Sequence, residues 1–198
     1  MTKQYDADYF DRWYRGRNRI HSRAEVRRKV ALAVTTAEYF LQRPIRNVLD
    51  VGCGEGAWLP HLRAMRREVA YVGVDPSDYA AAEFGQSRNV RKGEFGGLRS
   101  LGLRGRYDLI VCSDVLHYVP EEQIARGIGE IVELLDGVAF VEVLTKEDDV
   151  IGDLEGLIQR PARWYRRVFA AAGLVQVGAY CWIGPTLSDA VSDLELFT

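Results

Sequence analysis

The chain has 198 residues, 47% hydrophobic, 27% charged and 11% aromatic, and 26 Lys and Arg against 28 Asp and Glu leave a formal charge of −2. That length suits one domain, 1–198, with a core of its own, and the apolar share is too high for a disordered chain. No apolar run approaches the roughly 18 residues of a membrane span, the polar start Met1-Thr2-Lys3-Gln4 has no signal-peptide core, and Cys53, Cys112 and Cys181 form no CxxC pair, so a reduced cytoplasmic protein is expected, not a secreted, membrane-spanning or zinc-finger one.

The charge is unevenly spread. Residues 1–46 carry 11 basic against 5 acidic side chains, and residues 47–198 carry 15 against 23. The first stretch mixes Tyr5, Tyr9, Phe10, Trp13 and Tyr14 with Arg12, Arg15, Arg17 and Arg19. Ser22-Arg23-Ala24-Glu25 is a capping box, and Val26, Val30, Val34, Ala37 and Leu41 follow at helical spacing, which predicts an amphipathic helix over 22–42. Pro44 ends it, leaving 1–42 as an N-terminal helical extension and 43–198 as the core. Short apolar runs at 47–51, 71–75, 89–92, 107–112, 137–144 and 174–183 read as strands, with 193–197 a possible seventh. Between them 57–65 reads as helix, Pro120 opens a helix with Ile124, Ile128, Ile131 and Leu135 on one face, and 161–172 is helical up to Gly173. Continuous apolar strands alternating with helices indicate an α/β fold with a parallel sheet covered on both faces.

In such a sheet ligands bind beyond the carboxyl ends of the strands, where strand order reverses. Asp50-Val51-Gly52-Cys53-Gly54-Glu55-Gly56 sits at that end of the first strand, and Gly52 and Gly54 allow a tight turn that a ligand can approach closely. Asp75 closes the second strand, where a carboxylate can accept both hydroxyls of a ribose. Together these indicate nucleoside binding. Gly52, Gly54 and Ala57 also satisfy the dinucleotide pattern G-x-G-x-x-G/A, so an NAD(P)-dependent oxidoreductase stays open as an alternative. The third glycine at Gly56, the acid before the turn and the short chain speak against it.

These segments resemble the class I S-adenosylmethionine-dependent methyltransferases of small-molecule type. Residues 47–56 are similar to the family's first motif, Tyr71-Val72-Gly73-Val74-Asp75-Pro76-Ser77 to its second-strand motif, and 107–119 to its fourth-strand motif, while Ala171-Ala172-Gly173-Leu174 resembles the entry to its last hairpin. The resemblance implies a Rossmann-like, seven-stranded, doubly wound sheet of order 3-2-1-4-5-7-6 with the last strand antiparallel. It implies S-adenosylmethionine as cofactor, released as S-adenosylhomocysteine. Asp50, Gly52, Cys53, Gly54, Asp75, Pro76, Ser77, Glu94, Phe95 and Ser113 then stand at the cofactor, Glu94 replacing the aspartate usual near the adenine amino group.

Methyl transfer from a sulfonium needs no protonation of its leaving group, so positioning of the nucleophile is the main demand, worth about 7–11 kcal/mol in intramolecular models. A base is needed only where the nucleophile carries a proton. His117 and Asp114 are the candidate catalytic residues, set against a structural histidine behind the fourth strand and a turn or capping aspartate. Tyr9, Trp13 and Tyr14 are expected to form a lid over the cofactor and substrate, with Tyr118 and Tyr165 facing the substrate pocket and Trp164 in the core. Glu147-Asp148-Asp149 reads as a solvated loop and no metal is expected. The expected partner is a small-molecule acceptor. RNA is disfavoured by the acidic remainder despite the basic 12–29 stretch, and a non-catalytic cofactor-binding protein is the other alternative.

Overall fold

The computed structural model describes residues 5–15, 20–149, 152–189, 191–192 and 195. Asp6 caps a short helix, α1 (Ala7–Phe10), by accepting the Tyr9 N–H at 3.0 Å, and the chain continues as a wide π-type turn over Asp11–Arg15. Helix α2 (Arg23–Leu41) starts at Ser22, whose hydroxyl accepts the Glu25 N–H at 3.1 Å, and ends at Gln42 in the left-handed conformation. Its Val30, Ala33, Val34 and Ala37 are buried, the stripe that the spacing predicts.

The remaining elements are β1 (Asn47–Val51), α3 (Leu59–Met65), β2 (Ala70–Asp75), α4 (Asp78–Arg88), β3 (Val90–Lys92), β4 (Tyr107–Ser113), α5 (Glu121–Leu134), β5 (Leu135–Glu142), α6 (Ala162–Ala171), β6 (Val175–Gly178), β7 (Cys181–Ile183) and α7 (Pro185–Ser188). Seven strands form one sheet of order β3-β2-β1-β4-β5-β7-β6, with β7 antiparallel to both its neighbours. This is the Rossmann-like order that the resemblance implies. Neighbouring residues of a strand face opposite layers. Leu49 and Ile110 meet Ile124, Ile128 and Phe169 of α5 and α6, whereas Val48, Leu109 and Val111 meet Val30, Val34 and Leu62 of α2 and α3. Both faces are therefore covered, which explains why β1 and β4 read as unbroken apolar runs.

The run at 174–183 is corrected from one strand to a hairpin, β6 and β7. Gly178 pairs with Cys181 and Tyr180 takes φ +58, so Ala179 and Tyr180 make the reversal without the Asn-Gly or Asp-Gly signal of most two-residue turns. The expected strand at 193–197 lies outside the described residues apart from Glu195, whose carboxylate accepts the Tyr39 hydroxyl.

One buried charge ties the loop after α2 to the sheet. Asp108 on β4 accepts two bonds from the Arg43 guanidinium, at 2.9 and 2.7 Å, and a third from the Arg46 N–H at 2.6 Å. Burial pushes this carboxyl up, but the Arg43 and Arg46 donors outweigh it and hold it below the usual aspartate value. A depressed carboxyl adds stability above the ordinary aspartate pKa near 4, and that contribution is lost as pH falls through the folded value. Asp108→Ala is expected to cost about 2 kcal/mol, a fall of roughly 4–8 °C in melting temperature. Thermal denaturation at pH 7 checks it, and the gap between wild type and variant should shrink in acid.

Candidate functional site

Strand order reverses between β1 and β4, and the site is built at their carboxyl ends. The turn after β1 is tied to β2 by the Gly52 and Cys53 N–H groups, which donate to the Val74 carbonyl at 2.7 and 3.2 Å. Gly52 and Gly54 both hold positive φ, +73° and +51°. Asp75, 6% exposed, accepts the Gly54 N–H at 2.7 Å on one oxygen and the Ser77 N–H at 2.9 Å on the other. Burial raises its carboxyl, with those two donors opposing. Asp50 accepts the Tyr71 hydroxyl at 2.8 Å, yet burial pushes it up to about 7.

Two cavities flank this turn. The first, about 510 Å³, is lined by Gly52, Gly54, Asp75, Pro76, Glu94 and Phe95, with Tyr118 at one side. The second, about 590 Å³, is lined by Asp50, Cys53, Trp58, His21, Ser113 and Asp114. Both include Tyr14, Gly52, Gly54 and Asp114, so they meet there.

The N-terminal segment roofs the junction. Phe10 is 2% exposed and stacks at 5.4–5.7 Å on Tyr14 and Tyr79, and a Cβ placed on Gly54 would lie 3.0 Å from its ring. Tyr5 and Tyr9 extend the aromatic cluster along the first cavity. Arg15 pins the segment from above, donating to Glu55 and to the Tyr79 hydroxyl, and Ser77 donates to the Tyr5 carbonyl. Burial pushes the phenols of Tyr9 and Tyr14 up, so both stay protonated.

Asp114 lies just past β4 with a left-handed backbone, φ +65°. Its Oδ2 is 3.3 Å from His21 Nε2 and its Oδ1 is 3.5 Å from His117 Nε2. Burial alone would raise the Asp114 carboxyl, but the His21 hydrogen bond and the cationic neighbours hold it below its ordinary value. The same Asp114 bond is the main cause that raises His21. His21 Nδ1 faces Glu25 Oε1 at 2.9 Å, and Lys29 bridges Glu25 to Glu142, which accepts the Ser113 hydroxyl.

Among the residues singled out from sequence, Asp50, Gly52, Cys53, Gly54, Asp75, Pro76, Glu94, Phe95, Ser113, Asp114, Tyr9, Tyr14 and Tyr118 line one or both cavities, Glu94 from the exposed rim. Ser77 sits just behind, its hydroxyl capping α4 at the Ala80 N–H. His117 is fully buried and its Nδ1 accepts the Leu144 N–H at 3.3 Å. Trp13 is half-buried and lines neither cavity. Tyr165 is a correction: its ring is 2% exposed, packed against Phe169 and Arg160 in the core, while Trp164 is only half-buried beside the Arg160 guanidinium. The fully buried residues of α6 are Tyr165 and Phe169 at i, i+4 spacing, with Trp164 and Val168 partly buried against the same core. Phe10, Arg15 and Glu55 carry no site role in the sequence reading, and His21 and Lys29 do not figure in it. The aromatic and arginine spacing at 10–15 carries a signal for two of them, and no local pattern marks His21.

A family model described as a methyltransferase domain matches residues 11–177. Nodulation protein S of Azorhizobium caulinodans is 29% identical over 94 residues, which span 47% of this chain and 45% of that protein. Among solved structures, a S-adenosylmethionine-bound amino pentose methyltransferase from Micromonospora echinaspora superposes with a TM-score of 0.65 at 18% identity, over 89% of this chain and 92% of that one. A sugar N-methyltransferase from Streptoalloteichus gives 0.62 at 20% identity, over 89% and 87%.

Proposed function

The chain belongs to the methyltransferase-domain family, and from that premise we propose that it transfers a methyl group from S-adenosylmethionine to a small-molecule acceptor. The observation that carries this reading is the meeting of two cavities at Gly52, Tyr14 and Asp114, one walled by a ribose-type acid and the other by polar side chains. A volume of about 510 Å³ lies within the usual range for ligand pockets.

The residues present fit the cofactor. Each Asp75 oxygen accepts one backbone N–H and keeps a second lone pair for a ribose hydroxyl. Glu94, at the exposed rim, is within the same cavity wall to accept from the adenine amino group, and the buried Phe95 supplies an apolar face. When bound, the cofactor supplies an electrophilic methyl group on a sulfonium. Gly52 and Gly54, lacking side chains, let backbone approach it closely. Phe10, buried, and Tyr9, half-buried, cover the junction and limit the water there, which strengthens electrostatics. The neutral phenols present an electron-rich wall to a cation.

A small acceptor suits the roofed junction. Three free, buried cysteines accord with a reducing, cytoplasmic setting. Among the described residues no helix is long and apolar enough to cross a membrane.

Calorimetric titration with S-adenosylhomocysteine is expected to give saturable binding, and methyl label from S-adenosylmethionine should appear on a member of a small-molecule panel. Silence with S-adenosylhomocysteine beside clear NAD binding would transfer the protein to the oxidoreductases. Binding without any turnover would make it a cofactor-binding protein.

A further inference from the structure

Asp114 combines two observations that no single element explains. Asp114 lies at the point common to both cavities, with a left-handed backbone that aspartate adopts more readily than most residues. From its carboxylate a chain of polar contacts runs outward, to His21 Nε2 at 3.3 Å and from His21 Nδ1 to Glu25 at 2.9 Å, and these side chains are 16%, 24% and 34% exposed in that order. Among the described residues, Lys29 also faces His21, 3.5 Å from Nδ1, and His117 lies on the far oxygen of Asp114.

We infer that the acceptor is a small amine held at its nitrogen by Asp114, and that Asp114, His21 and Glu25 carry away the proton the nitrogen must lose. This deepens the methyl-transfer reading and rests on it. An ionised carboxylate at the junction attracts an ammonium and repels a carboxylate acceptor. An ammonium has no lone pair to attack with. One N–H proton passes to Asp114 and on to Nε2 of neutral His21, whose Nδ1–H stays directed at Glu25. The freed lone pair forms the N–C bond while the S–C bond breaks and its electrons remain on sulfur. The methylated product is again an ammonium. His21 gives its Nδ1 proton through Glu25 to solvent, and the Nε2–H tautomer left behind returns to the Nδ1–H form by proton exchange at its partly exposed ring, which resets the path. Asp114 touches the substrate, whereas His21 acts through it as a positioning and proton-accepting residue.

The test uses the full chain with labelled S-adenosylmethionine and a panel of amines, alcohols, phenols and carboxylic acids. Label is expected on amines. Asp114→Asn keeps the shape and tolerates the left-handed backbone, and it should lower kcat/KM for the amine by about 10²-fold or more while S-adenosylhomocysteine still binds. For wild type, kcat/KM should rise with pH along an acidic limb above the ordinary histidine value near 6.5, because only neutral His21 accepts the proton and Asp114 raises it. His21→Gln should lower kcat with KM retained and displace that limb. Label found only on oxygen acceptors, with S-adenosylhomocysteine bound, overturns the amine inference and leaves methyl transfer standing. An unmoved limb in His21→Gln overturns the proton path. Absence of S-adenosylhomocysteine binding overturns both readings.

Discussion

Asp75→Ala is expected to weaken S-adenosylhomocysteine binding by at least about 10²-fold, equivalent to about 3 kcal/mol. Two losses add. The ribose hydroxyls lose their acceptor, and the Gly54 and Ser77 N–H groups lose the carboxylate that fixes the turn. Hydrogen bonds to a charged group are worth about 1.5–3 kcal/mol each, so either loss alone reaches tens of fold. Asp75→Asn should do little better, because its amide NH₂ confronts one of the two N–H donors that the carboxylate accepts. Affinity in the wild type should also fall in acid. Binding needs the ionised carboxylate, and burial raises Asp75, so the loss begins above the ordinary aspartate value near 4. Isothermal calorimetry across pH reads all three effects, and unchanged affinity in Asp75→Ala would remove the residue from the cofactor site.

Gly52→Ala is expected to damage stability and binding together. A Cβ there would stand 2.2 Å from Val115 Cγ2, and the backbone holds φ +73°. Left-handed geometry costs a non-glycine residue about 1–2 kcal/mol, and overpacking adds about 1–3 kcal/mol. At roughly 2–4 °C per kcal/mol for a chain of this size, the melting temperature should drop by about 4–20 °C. Relief by moving Val115 would displace the adjoining Asp114, so methyl transfer should fall even where the variant folds. Val115→Ala in the Gly52→Ala background should recover part of the stability, since it removes the clashing methyls but leaves the backbone cost. Gly54 answers differently: its added Cβ meets Phe10 at 3.0 Å, so a bulky substitution there pushes against the roof, not the floor.

Much of this site is readable along the chain because its parts are local. A strand, a glycine turn and an acid at the next strand end are each a few residues long, and Asp50, Gly52, Cys53, Gly54, Glu55, Asp75, Glu94 and Phe95 all line the cavities. The family resemblance at 171–174 implies a last hairpin, but no local pattern marks the turn between β6 and β7, because Tyr180 takes a left-handed conformation without a turn residue's signature. Tyr165 lies in the core instead of at the pocket because two adjacent aromatics offer two helical stripes, and packing on Phe169 buries Tyr165 the deeper while Trp164 stays partly buried against the same core.

The sequence by itself determined the layered α/β core, the end of the sheet where the two cavities open and the carboxylate at the second strand end that lines one of them. Those follow from hydrophobic period and turn chemistry, which act over a few residues. The tertiary structure alone decided how the basic, aromatic extension meets that core. Arg15 reaches Glu55 across 40 residues and His21 reaches Asp114 across 93. Such pairings depend on where separate elements come to rest, and no local pattern encodes a distance of that kind.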